Sequence, residues 1–181
     1  MYYALISSLP HLELEKEPLI SAASFREACR STVSADEFQI LDALLEGAFS
    51  HATSNPFAQR WFAVETQLRN AVAIQRAQAR GVDAKPFIRS HAGFVGWVES
   101  QVQESFSADN PAEQERVLDG ARWRLAEEFI GEDTFGFSKL AAYAVQLRLA
   151  TRWSRMDDNT GRENLEKTIT LNTESEAAAV N

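Results

Sequence analysis

Three histidines (His11, His51 and His91), one cysteine (Cys29) and two acidic pairs (Glu127-Glu128 and Glu132-Asp133) are the side chains of this 181-residue chain whose types suit proton transfer, nucleophilic attack or metal ligation. Their spacing does not assemble them. The chain has no G-x-x-x-x-G-K-[ST] loop to cradle phosphates, no G-x-G-x-x-G and no H-E-x-x-H. It lacks a G-x-S-x-G nucleophile elbow and the Glu-x-x-His pairs that build di-iron sites on facing helices. A single cysteine rules out an internal disulfide framework and a cysteine-rich zinc site. The histidines fall in or beside expected loops and read as surface or loop-packing residues. Gly93-Phe94-Val95-Gly96 matches the G-x-x-G of single-strand RNA modules, but the βα framework of those modules is missing. The acidic pairs flank an expected helix C-terminus and read as solvated charge, while Cys29 lies on an apolar face and reads as inert. The expectation is a protein that is not an enzyme, with no cofactor and no metal site.

Charge is more informative. The chain carries 26 acidic and 18 basic side chains for a net charge of −8, which disfavours nucleic acid as a partner because that needs a basic footprint. Against this background residues 55–91 hold six basic and two acidic side chains, a local excess of +4. At about 100° per residue, counted from Phe57, Glu65 falls near 80° and Arg76, Arg69 and Arg80 fall between about 100° and 140°. They flank an apolar stripe that runs from about −20° to 60°. Two readings follow. In one, Glu65 pairs with Arg69 at i,i+4 and the other arginines pair with acidic neighbouring helices. In the other, the arginines edge a groove that docks an acidic helix or loop. Arg-Trp recurs at Arg60-Trp61, Arg122-Trp123 and Arg152-Trp153; core packing is the default for these tryptophans, and interface anchoring is the alternative. Arg69, Arg76, Arg80, Arg122 and Arg152 are therefore the candidate partner-binding residues.

The elements that must position these arginines are helical. Apolar residues make up 45% and charged residues 24% of the chain, ordinary globular usage. Tyr2 to Pro10 suits a short strand or an extended segment. Ser21 or Ser24 caps a helix carrying Phe25, Ala28 and Cys29. Ser34-Ala35-Asp36-Glu37 is a capping box opening a helix with Phe38, Leu41, Leu44, Leu45 and Ala48 on one face. Asn55-Pro56 starts a helix of about 25 residues that ends at Gly81. Phe94, Trp97, Val98 and Val102 are spaced for a helix within 87–106, and Asn110-Pro111 starts one carrying Leu118, Ala121, Leu125 and Phe129. Ser138 is the expected cap of a final helix to about Met156, apolar on two faces and therefore central. This predicts an all-α fold, an irregular bundle of about six helices with a short N-terminal extended segment as an option. Residues 1–165 form the helical domain, and 166–181 form a polar tail expected to be mobile. The longest early apolar run falls far short of the roughly 20 residues of a membrane span, and no secretory signal pattern is present. A cytoplasmic protein is expected, with membrane association only indirect, through partners.

The opening Tyr2-Tyr3-Ala4-Leu5-Ile6-Ser7-Ser8-Leu9-Pro10 resembles the start of a family of bacterial proteins encoded among V/A-type (vacuolar/archaeal-type) ATPase subunits. The resemblance continues in Trp61-x-x-x-Glu65-x-x-Leu68-Arg69-Asn70, Arg76-Ala77, and Asn110-Pro111 through Leu118-Asp119-x-Ala121-Arg122-Trp123. It ends in Tyr143-Ala144-x-x-Leu147 and Arg152-Trp153. The segments around Glu65-Leu68-Arg69-Asn70 and Asn110-Pro111 are also similar to the helical repeats of the V/A-type ATPase C subunit, called d in eukaryotes. That subunit is a funnel of helices seated on the membrane rotor ring that receives the foot of the central stalk. It is longer than this chain and has a threefold repeated body, so 181 residues match only part of it. The resemblance implies a non-catalytic subunit or assembly partner of a V/A-type ATPase, in contact with the central stalk or rotor ring. An unrelated cytoplasmic helical adaptor that binds an acidic partner surface is the alternative.

Overall fold

Local capping chemistry sets most helix boundaries in the computed structural model, which describes residues 1–48 and 54–156. Seven α-helices and no strand are present among the described residues: α1 (Tyr3–Ser8), α2 (Ala22–Arg30), α3 (Ala35–Glu46), α4 (Pro56–Arg80), α5 (Gly96–Ser105), α6 (Pro111–Glu128) and α7 (Phe137–Ser154). Ser21, Ser34, Asn55 and Asn110 each accept a backbone N–H from three residues on, satisfying a donor that the first helical turn leaves unpaired. The Ser34–Glu37 capping box forms with both of its bonds. Gly47 and Gly81 end α3 and α4 in the left-handed conformation (φ 66° and 65°). The fold is the all-α bundle the sequence predicts.

Ala48, expected on the buried face of α3, lies beyond the Gly47 cap and is exposed, and three further local expectations are corrected. The N-terminal segment is a short helix, not a strand or extended run. Six residues are too few to separate the two periodicities, and Pro10 forces only Leu9 out of helical geometry (ψ 130°). Its start is tied to the loop between α6 and α7 by Tyr2 N–H donating to the Phe135 carbonyl at 2.7 Å. Phe94 does not join Trp97 and Val98 on a helix. Gly93 is left-handed (φ 71°), α5 begins only at Gly96, and Phe94 is exposed in the preceding loop. Finally, Gly136 and not Ser138 caps α7. A side chain at 136 would collide with the Asp133 carboxylate, so glycine suits that position.

α7 is the central element and packs against α3, α4 and α6. Leu140, Ala141, Ala142, Ala144, Val145 and Leu147 are all fully buried on it, because a helix apolar on most sides must be covered on most sides. The α4 seam is as expected: Phe57, Trp61, Val64, Leu68 and Ala71 are buried, and Phe57 meets Phe129 edge-on at 6.2 Å. Cys29 is wholly buried, and that burial pushes its thiol up to about 11, away from reactivity. No helix among the described residues is long and apolar enough to cross a membrane. The tail expected at 166–181, and the last part of the 1–165 domain beyond Met156, lie outside the described residues, as does His51.

Candidate functional site

Two features of α4 divide the arginines between them. The first is an ion network at its middle. Glu65 is 2% exposed and Asp119 on α6 is fully buried. Arg122 reaches both: Nε donates to Glu65 Oε2 (2.9 Å), Nη2 to Glu65 Oε1 (3.1 Å) and Nη1 to Asp119 Oδ1 (2.8 Å). Arg69 Nε donates to Glu65 Oε1 at 3.0 Å. From α7, Trp153 Nε1 donates to Asp119 Oδ2 at 3.0 Å and Arg152 Nη1 lies 3.3 Å from the same oxygen. Burial by itself would raise the Glu65 pKa. The attraction and hydrogen bonds of Arg122, then of Arg69, outweigh that and hold the carboxyl below its ordinary range. Burial would likewise lower the Arg122 pKa, yet Glu65 and then Asp119 raise it. All four carboxylate oxygens accept at least one hydrogen bond, so the network ties α4, α6 and α7 together and makes Glu65 a poor proton acceptor.

The second feature is a groove of about 430 Å³ along the C-terminal half of α4. Leu68, Val72, Ala73 and Ala77 of α4 and Leu118 of α6 supply its apolar lining, and Val82 and Phe87 stand at its far end. Val82 is 54% and Phe87 64% exposed, so this apolar surface is left uncovered by the described fold. The wall carrying Phe87 is held by two side-chain amides of α4. Asn70 accepts from Arg89 N–H (3.0 Å) and donates to Arg89 C=O (2.7 Å). Gln67 does the same with Val95, at 2.9 and 3.0 Å. Each amide takes the part of a neighbouring backbone, and the loop between Gly81 and Gly96 is pinned at both points.

Arg69, Arg76, Arg80 and Arg122 all line this groove, while Arg152 does not. Arg122, its side chain only 13% exposed, is committed to the buried network. Arg152 binds Glu115 (2.8 Å) besides Asp119. Arg69 is half-exposed and forms the i,i+4 pair with Glu65. Arg76 and Arg80 are exposed, and among the described residues no carboxylate lies within ion-pair distance of either. Internal pairing, the first reading, thus holds for Arg69, Arg122 and Arg152, while Arg76 and Arg80 stand at the edge of the groove. Asp119 and Asn70 enter the sequence reading only within the resemblance, and Glu115 and Gln67 not at all. The i,i+3 spacing of Asp119 and Arg122 is the signal that marks the first; the amide clamps span 19 and 28 residues and leave no local signal.

The first of the two acidic pairs weighed for chemistry is occupied structurally, whereas His91 Nδ1 is buried without a hydrogen-bond partner among the described residues. Glu127 accepts from Trp123 Nε1 and Gln146 Nε2, and Glu128 from Arg124 and Trp97 Nε1. Among the described residues no group of three or more His, Cys, Asp or Glu side chains is placed to hold a metal ion.

Residues 97–175 match a family model described as a protein of unknown function, DUF2764. The match takes in α5, α6 and α7, and so Arg122, Asp119 and Arg152, but not α4. No curated protein and no solved structure matches the chain.

Proposed function

We propose that this chain is a non-catalytic helical scaffold that serves a V/A-type ATPase, as a subunit or as an assembly or accessory protein near the central stalk and membrane rotor. The observation that carries the docking role is the α4 groove: an uncovered apolar trough edged by Arg76 and Arg80, whose charges no described carboxylate answers. Arg beside uncovered aromatic and apolar surface is common material of a protein interface. The ATPase as client is supported by the sequence resemblance that runs from Tyr2 to Trp153. A cytoplasmic helical adaptor with another acidic client uses the same groove and is the second reading, favoured by the same pair of arginines.

The test is a pull-down from a host expressing the ATPase operon, beside a thermal melt. Arg76→Glu with Arg80→Glu should melt like wild type, since exposed positions outside key contacts change stability by within about 0.5 kcal/mol. It should lose the partner, because charge reversal sets like charges face to face. Undiminished recovery would remove this surface as the docking site. Failure of wild type to recover any ATPase subunit would remove the ATPase as client.

A further inference from the structure

We infer that the occupant of the α4 groove is one amphipathic α-helix of about three turns, with carboxylates along one flank only. This rests on the docking role of the groove and names what docks. The trough follows α4 from Leu68 to Arg80, which at 1.5 Å per residue is about 18 Å, the length of roughly 12 helical residues. Its lining includes half-buried Ala73, whose small side chain lets a second helix axis come within the usual 8–10 Å. Buried Leu68 and Leu118 form its floor, and half-buried Val72 with exposed Val82 and Phe87 offers the apolar contact.

The charges are one-sided. Arg76 and Arg80 stand one turn apart on one edge, so acids at i,i+4 or i,i+3 on a facing helix match their spacing. The opposite wall presents Glu115, already bound to Arg152. An occupant with acids all round would therefore meet a carboxylate on its second side, and a flat anionic lipid surface would meet it as well. The groove is also preformed. The Gln67 and Asn70 clamps fix the Phe87 wall before anything binds, which lowers the ordering cost of association. Helix-in-groove recognition lays the apolar face of an amphipathic helix into a hydrophobic trough, and the charged edge here adds a preferred flank.

The experiment places a photo-cross-linker in the full chain at Phe87, as Phe87→p-benzoylphenylalanine, an aromatic replacement at an exposed position. The chain is expressed with the ATPase operon and illuminated, and the cross-linked segment is identified by mass spectrometry. A synthetic peptide of that segment is then titrated against the purified full chain by fluorescence anisotropy. The expected adduct is a segment with apolar residues at i, i+3 or i+4 and i+7 and with Asp or Glu one turn apart on a single flank. Its peptide should bind at least ~10-fold more weakly to the Arg76→Glu, Arg80→Glu variant. An adduct of this kind in a protein other than an ATPase subunit upholds the helix and removes the ATPase as client. An ATPase adduct in a segment without that pattern overturns the helix while leaving the client in place. An adduct to residues 157–181 of the same chain, to a second copy or to lipid overturns the inference, and so does the absence of any adduct at Phe87.

Discussion

Arg122→Met tests the buried network most directly. The change removes a guanidinium that makes two bonds to Glu65 and one to Asp119, all between 2.8 and 3.1 Å. Met keeps most of the length and the apolar contact of the stem. Three hydrogen bonds to charged groups, at about 1.5–3 kcal/mol each, set an upper range of roughly 5–9 kcal/mol. Two facts reduce it: Glu65 keeps Arg69, and Asp119 keeps Trp153 and Arg152. The expected loss is therefore about 3–5 kcal/mol, the cost of leaving a buried charge without its main partner. For a chain of this size it lowers the melting temperature by roughly 6–20 °C. Urea denaturation at pH 7 should show the midpoint moved with the slope unchanged. A double-mutant cycle with Glu65→Gln should return a coupling of about 0.5–3 kcal/mol. The same pair predicts the acid limb of stability. Glu65 has its pKa lowered in the fold, so between its folded value and the unfolded value of about 4.3 the unfolded chain binds more protons. Its contribution is complete above the unfolded value and is lost as pH falls toward the folded one. Glu65→Gln should flatten that part of the stability–pH curve. A loss under about 1 kcal/mol for Arg122→Met, with an unchanged acid limb for Glu65→Gln, would refute the network as a tie between helices.

Leu68→Ala should cost about 2–5 kcal/mol, since Leu68 is fully buried in the α4 seam; a wild-type denaturation midpoint would refute that placement. Gly47→Ala should destabilise more than Gly81→Ala in parallel thermal melts. Both glycines are left-handed, which costs an L-residue about 1–2 kcal/mol, but only at Gly47 would the new methyl also meet the Arg148 guanidinium. Gln67→Ala with Asn70→Ala should cost about 2–6 kcal/mol for four neutral hydrogen bonds and speed amide exchange at Arg89 and Val95. Unchanged exchange would mean the loop is held by something else.

What the sequence by itself determined here was local. Ser34 with Glu37, Asn55-Pro56, Asn110-Pro111 and Gly81 announce their helix ends because each capping bond closes within a few residues. The buried stripe on α4 is legible for a related reason: the helical period turns a sequence spacing into a face. Where a signal was short or double, packing chose. Tyr3–Ser8 became a helix, and the Asp133 carboxylate leaves no room for a side chain at Gly136, the cap of α7. Tertiary structure alone decided the fate of the arginine row. Helical angles put Arg69, Arg76 and Arg80 on one flank, but the angles are blind to what stands opposite. The arrival of α6 beside the middle of α4 brings Arg122 across 57 residues onto Glu65, and α7 carries Arg152 onto Asp119 and Glu115. Among the described residues no helix lies in the trough beside the last turns of α4, so Arg76 and Arg80 stand at its open edge. Which arginines became structural and which stayed available was settled by the packing of three helices, because a buried charge must find its partner wherever the fold puts one.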